Sequence, residues 1–130
     1  MNKELVFVYG TLKKNFRNEH VMKMSNAEFL VEAESTEKFP MFDIGDGFPY
    51  MQNKMGTGEI IKGEIWEVPS ENIYKLDYFE GVPYLYKPEY IDYYERGTKR
   101  LHTSVKTYCK VEQLSNEQLQ EVKFLKEWVE

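Results

Sequence analysis

Two short stretches of the 130-residue chain combine residue types that can do chemistry. The first is Tyr9-Gly10-Thr11-Leu12, directly after the apolar run Leu5-Val6-Phe7-Val8. Glycine lets a chain turn sharply and lets a ligand approach the backbone. Successive N–H groups in such a turn can cradle an anion or a developing oxyanion. An ordinary tight turn with a packed tyrosine reads equally well from these four residues. The second stretch is Leu76-Asp77-Tyr78-Phe79-Glu80-Gly81-Val82-Pro83. Glu80 falls at the C-terminal end of a predicted helix, where the dipole disfavours a carboxylate. Aromatic burial and nearby Asp77 push its pKa the same way, upward. A carboxyl group so tuned can shuttle protons near neutral pH. A solvated glutamate at a helix end is the plain alternative.

The tyrosines of Tyr84–Tyr94 are a third feature, with Tyr84 and Tyr86 on one strand face and Tyr90 and Tyr94 on another. Tyrosine suits a pocket wall, offering apolar area and one hydroxyl, and it suits a core with a polar rim. Pro88 is placed to break the register between the two pairs. His20 and His102 read as helix-surface and strand residues, Glu59 and Glu64 as solvated, and Cys109 as a core thiol. No phosphate loop, dinucleotide fingerprint, metalloprotease helix or nucleophile elbow is present.

The elements that must position these residues follow from patterning. Leu5–Tyr9 is a continuous β-branched and aromatic run, predicting a strand buried on both faces and closed by Gly10. Asn18 is placed to cap a short helix over Glu19–Met24. Ala27–Glu37 alternates Phe29, Val31 and Ala33 against glutamates, predicting a strand. Residues 39–58 hold four glycines and two prolines, predicting loop with short extended pieces. Glu59–Val68 predicts a strand broken at Gly63. Ser70 is a good N-cap for a helix whose face carries Ile73, Leu76 and Phe79, ended by Gly81 and Pro83. Tyr84–Tyr94 and Leu101–Val111 predict two long strands joined at Glu95-Arg96-Gly97-Thr98. Ser115 and Gln118 form a capping box, Leu114 and Leu119 its staple. Leu119, Val122, Leu125 and Trp128/Val129 then extend one helical face. Strands that succeed each other without regular helical crossovers predict an α+β fold around a mixed, mainly antiparallel sheet closed like a barrel, with flanking helices.

Composition bounds the function. The length fits a single domain over residues 1–130. A net charge of −5 argues against nucleic acid and against an anionic membrane surface. A lone cysteine and two distant histidines predict no disulfide and no metal site. Met1–Val8 is too short and too charged for a signal peptide, and no run is long enough to span a membrane. The expected setting is the cytoplasm.

Taken together, these pieces resemble the γ-glutamylcyclotransferase-like proteins, most nearly the γ-glutamylamine cyclotransferase and AIG2-like branch. The resemblance rests on Leu5-Val6-Phe7-Val8-Tyr9-Gly10-Thr11-Leu12-Lys13, Phe39-Pro40, Gly63-Glu64-Ile65-Trp66, Leu76-Asp77-x-x-Glu80-Gly81-x-Pro83 and Tyr86, in the family's order. It implies the family's fold and a small-molecule γ-glutamyl substrate converted to 5-oxoproline and a free amine. It further implies Glu80 as general acid/base, a substrate cavity lined by Tyr9, Gly10, Thr11, Leu12 and Tyr86, no cofactor, and a monomer or small homo-oligomer. Lys87 stands where the family usually has Arg, and Asn15 where it often has Gly. A non-enzymatic binding or regulatory domain on the same fold is the rival reading. Removal of a γ-glutamyl protecting group from a biosynthetic intermediate is another.

Overall fold

In this computed structural model, which describes residues 2–130, the chain runs β1 (Lys3–Val8), α1 (Glu19–Met24), β2 (Glu28–Phe39), β3 (Met41–Phe42), β4 (Tyr50–Met51) and β5 (Glu59–Pro69). It continues through α2 (Ile73–Glu80), β6 (Tyr86–Glu95), β7 (Leu101–Lys110) and α3 (Asn116–Glu121). Five strands close into a barrel in the order β1-β5-β2-β6-β7. Four seams are antiparallel, and the closing seam, Val6 and Phe7 beside Lys106 and Thr107, is parallel. The α+β barrel-like sheet with flanking helices expected from the strand succession is what forms.

β1 is buried on both faces, as its uninterrupted apolar run predicts. Phe7 packs with Ala33, Ile61, Ile65, Ile91, Tyr93 and Cys109, so Cys109 is a core thiol. Phe7 and Tyr93 stack with ring centroids 3.8 Å apart. Val6 and Val8 point the other way, into a second layer with Met22, Trp66, Ile73 and Leu76 that seats α1 and α2 against the sheet. Each fully buried aliphatic side chain contributes on the order of 2 kcal/mol of transfer free energy.

Several local expectations are corrected. β5 runs through Gly63 without a break, and Gly63 pairs with Ala33. The glycine is there for close approach: a Cβ on it would lie 2.4 Å from Val8 O and 2.6 Å from Phe7 Cζ. Ser70 opens a single 3₁₀ turn (Ser70–Asn72) with no side-chain cap, and its N–H bonds Asn2 O. Asn18 sits at the N-cap of α1 but makes no capping bond. Glu64 accepts from Lys14 N–H and from Trp66 Nε1, so it is engaged and not merely solvated. Tyr84 precedes β6, lies in the turn after α2 and is 85% exposed, so it shares no strand face with Tyr86. Pro88 pairs with Tyr108 in register, and the irregularity falls between Ile91 and Tyr93.

The largest departure is at the chain's far end. The capping box forms as read, with Gln118 N–H donating to Ser115 Oγ and Ser115 N–H to Gln118 Oε1. Yet α3 stops at Glu121, and Val122 is extended. Residues 122–130 instead run back along the barrel. Leu125 N–H bonds Met41 O, Lys62 N–H bonds Lys126 O, and Lys13 Nζ donates to Trp128 O. Short helices are marginal on their own. Spacing that fits a helical face here serves a strap whose Leu125 packs on the barrel core.

Candidate active site

A cavity of about 420 Å³ opens where the end of β1, the end of α2, the β6–β7 pair and residues 48–50 meet. Tyr9, Gly10, Thr11, Leu12, Glu80 and Tyr86 all line it. Residues separated by more than 70 positions are thus brought to one surface by barrel closure.

Glu80 is the last residue of α2. Gly81 ends the helix in the left-handed region, φ 67°, with its N–H on Tyr78 O and Val82 N–H on Asp77 O. Glu80 as a residue is partly buried and lines the cavity. Burial pushes its pKa up to about 8. The expected help from Asp77 is not needed. Asp77 Oδ1 instead accepts from Tyr108 Oη at 2.6 Å. A carboxyl with such a pKa can both take and give a proton near neutral pH.

The loop after β1 is held by its own backbone and by Asn18. Lys13 N–H returns to Gly10 O at 3.2 Å. Asn18 N–H bonds Thr11 O at 3.0 Å, and Asn18 Nδ2 bonds Thr11 Oγ1 at 2.9 Å. Among the described residues, the N–H groups of Gly10, Thr11 and Leu12 donate to no protein acceptor. They are three unspent donors beside the cavity, as an anion or oxyanion site requires. Gly10 also admits a neighbour: a Cβ on it would lie 2.9 Å from Pro49 Cγ.

Tyrosines build the walls. Tyr9 is buried, and its hydroxyl donates to Tyr108 O at 2.6 Å, so it offers the cavity its ring and not its OH. Burial pushes both the Tyr9 and Tyr86 phenols up, keeping them neutral. Tyr86 Oη reaches Pro49 O at 3.4 Å, and its ring lies 6.4 Å from that of Tyr50.

Sequence reasoning missed Phe48, Pro49 and Tyr50, which fold over the cavity from a stretch read as loop, and the two cations Arg17 and Lys110. An aromatic-Pro-aromatic triplet inside a glycine-rich loop was the available signal. Lys87 is not among the lining residues, and its Nζ pairs with Glu89 Oε1 at 3.3 Å. Among the described residues, no group of three or more His, Cys, Asp and Glu side chains could hold a metal ion. No helix of the described residues is long and apolar enough to cross a membrane.

Comparison with known proteins places the chain in context. Residues 6–130 match the family described as "Gamma-glutamyl cyclotransferase, AIG2-like". Gamma-glutamylaminecyclotransferase C of Danio rerio is 34% identical over 105 residues, covering 78% of this chain and 64% of that protein. Gamma-glutamylaminecyclotransferase A of the same organism is 40% identical over 86 residues, covering 63% of this chain and 53% of that protein. The chain thus spans between half and two-thirds of the length of these relatives. The crystal structure of an AIG2-like protein from Mus musculus superposes with a TM-score of 0.82 at 24% identity, covering 99% of this chain and 90% of that one. That likeness is one of fold.

Proposed function

This chain belongs to the AIG2-like γ-glutamyl cyclotransferase family, and on that premise we propose that it converts γ-glutamyl amines to 5-oxoproline and a free amine with Glu80 as general acid/base. The observation that carries the reading is the Glu80 carboxyl, raised to about 8 by burial, opening on the same cavity as the unspent N–H groups of Gly10–Leu12.

The chemistry needs little else. The substrate's α-amine attacks its own γ-carbonyl carbon, closing a five-membered ring. Glu80 in its carboxylate form takes a proton from the α-ammonium, freeing the lone pair. The C–N bond to the leaving amine then breaks as the same carboxyl delivers that proton to its nitrogen, and the extra proton still on the ring nitrogen passes to the released amine, which leaves as an ammonium. Substrate and products balance without water. Folding the substrate into a near-attack pose supplies up to about 7–11 kcal/mol in favourable intramolecular cases. The Gly10–Leu12 donors receive the glutamyl half, through its carboxylate or through the oxyanion formed on attack. Tyr9 and Tyr86 form the walls that hold the curl.

The test is to incubate the protein with γ-glutamyl amines and γ-glutamyl amino acids and to assay 5-oxoproline by mass spectrometry. Product from wild type but not from folded Glu80→Gln is expected. Turnover retained by Glu80→Gln removes Glu80 from the mechanism. No product from folded wild type with any member of the panel rejects the cyclotransferase reading.

A further inference from the structure

We infer that Tyr108 is a positioning residue for the reaction: its hydroxyl holds the last turn of α2 through Asp77, its carbonyl holds Tyr9, and the two bonds together fix where the Glu80 carboxyl stands relative to the N–H groups of Gly10–Leu12. The inference rests on the cyclotransferase reading above and names the residue that aligns the two sides of its site.

Asp77 is a carboxylate in an unfavourable place. It sits in the last turn of an eight-residue helix, where the dipole disfavours negative charge. Among the described residues it forms no ion pair. Its partner is Tyr108 Oη, which donates to Asp77 Oδ1 at 2.6 Å. Asp77 and Glu80 are three residues apart, so they are neighbours on the helix surface. A bond that fixes Asp77 therefore fixes the turn that carries Glu80. Tyr78 and Phe79, between them, are exposed and give that turn little packing. A helix this short is marginal on its own.

Tyr108 is a firm anchor. It is buried on β7 in the layer that holds Val6, Val8 and Leu76. Burial pushes its phenol up, so it stays a donor. Its carbonyl accepts from Tyr9 Oη at 2.6 Å, and Tyr9 is the residue from which the Gly10–Leu12 loop departs. One residue thus ties the element that carries the base to the element that carries the donors. Its hydroxyl is spent on Asp77, so it acts on the reaction through Glu80 and not by touching substrate. Intramolecular closure is sensitive to such alignment, and a displacement of about 1 Å can cost on the order of a hundredfold in rate. The groups around Glu80 are Tyr9 at the end of β1, Tyr50, Tyr86 on β6, and Tyr108 and Cys109 on β7, all pushed up by burial. Arg17 and Lys110 are the cations on the same cavity.

Kinetics on the γ-glutamyl amide that wild type turns over fastest test this, beside a carbon-13 NMR titration of the Glu80 carboxyl in the free protein. Tyr108→Phe keeps the ring, the carbonyl and the bond from Tyr9. It is expected to lower kcat about tenfold or more, with KM changed less than about twofold. Release of the turn lets water reach Glu80, so the ascending limb of the pH profile and the NMR titration are both expected to move toward 4.5, the ordinary glutamate value. Asp77→Ala is expected to do the same, and the two changes together no more than either alone. Asp77→Asn keeps an acceptor oxygen and is expected to recover most of what Asp77→Ala loses. Asp77 is only partly buried, so its two variants decide the matter if Tyr108→Phe fails to fold. Unchanged kcat and Glu80 titration in folded Tyr108→Phe overturn the inference. So does a raised KM at unchanged kcat, which would put the hydroxyl on the substrate. Additive losses overturn it, as does an Asp77→Asn as impaired as Asp77→Ala, which would make charge and not the bond the cause. No 5-oxoproline from wild type rejects the cyclotransferase reading alone. The NMR titration still decides the tie: a Glu80 value that moves in Tyr108→Phe and Asp77→Ala supports it, and one that stays overturns it.

Discussion

Asn18 holds Thr11 by two hydrogen bonds, backbone N–H to Thr11 O and side-chain Nδ2 to Thr11 Oγ1. The residue placed where a helix cap belongs instead braces the loop that lines the cavity. Asn18→Ala is expected to cost about 1 kcal/mol of stability, one ordinary hydrogen bond. It is expected to raise KM more than that loss suggests, because the loop's donors lose their fixed direction. Denaturant unfolding beside steady-state kinetics checks both. An unchanged KM would mean the loop holds its shape without Asn18.

Turnover should follow the ionisation of Glu80. A base with a pKa of about 8 is mostly protonated at pH 7. kcat/KM is therefore expected to climb between about pH 6 and pH 8. A pH–rate profile whose ascending limb lies near 4.5, the ordinary glutamate value, would show that burial does not control this carboxyl.

The same shift acts on stability, with a sign opposite to that of a salt-bridged carboxylate. Between pH 4.5 and about 8 the unfolded chain has Glu80 ionised while the folded chain keeps the proton. The unfolded state therefore binds fewer protons, and stability falls as pH rises through this window. Glu80→Gln removes the effect. It should match wild type near pH 5 and exceed it by roughly 1–3 kcal/mol near pH 9, allowing for water in the cavity. Thermal melts of the two proteins across this range check it.

Gly10 and Pro49 should behave as a coupled pair. Gly10→Ala drives a Cβ to 2.9 Å from Pro49 Cγ, so the segment carrying Phe48 and Tyr50 must shift off the cavity. Activity is expected to fall at least tenfold while the barrel stays folded, and Pro49→Gly is expected to recover part of it. Residues in contact couple by about 0.5–3 kcal/mol in a double-mutant cycle. Simple additivity would mean the two do not meet.

Gly63→Ala should instead damage the fold. Its Cβ would strike Val8 O and the Phe7 ring, neither of which can retreat from the core. A loss of about 3 kcal/mol or more is expected in chemical denaturation. A loss under 1 kcal/mol would show that β1 and β5 are less tightly packed than described.

What the sequence disclosed divides along physical lines. β1 was legible because five consecutive apolar residues admit few other fates, and Gly81 because a helix stop has one strong signature. The positions of Tyr9 to Leu12, Glu80 and Tyr86 on one cavity were implied by the family resemblance and by no single motif. Local patterning could not show what depends on distant partners. Gly63 looks like a strand breaker until Phe7 is found against it. Asn18 looks like a cap until Thr11 is found within reach. The spacing of Leu125 and Trp128 fits a helix, yet Met41, Lys62 and Lys13 offer their backbone and ammonium groups partners in an extended strap. Lys110 carried no local signal, because its place on the cavity wall is set against rings that arrive from residues 50 and 86.

The parallel seam between β1 and β7 has a consequence for how the chain is made. On the ribosome, Val6 and Phe7 emerge about a hundred residues before Lys106 and Thr107, with which they must pair. Until then β1 has one open edge and β7 does not exist, so the nascent sheet presents unpaired N–H and C=O groups beside its most apolar strand. Contacts so distant along the chain form slowly. Nascent chains stalled before residue 106 should be the species that chaperones hold and that self-associate when chaperones are scarce, whereas in the finished barrel Val6 and Phe7 are paired on both sides.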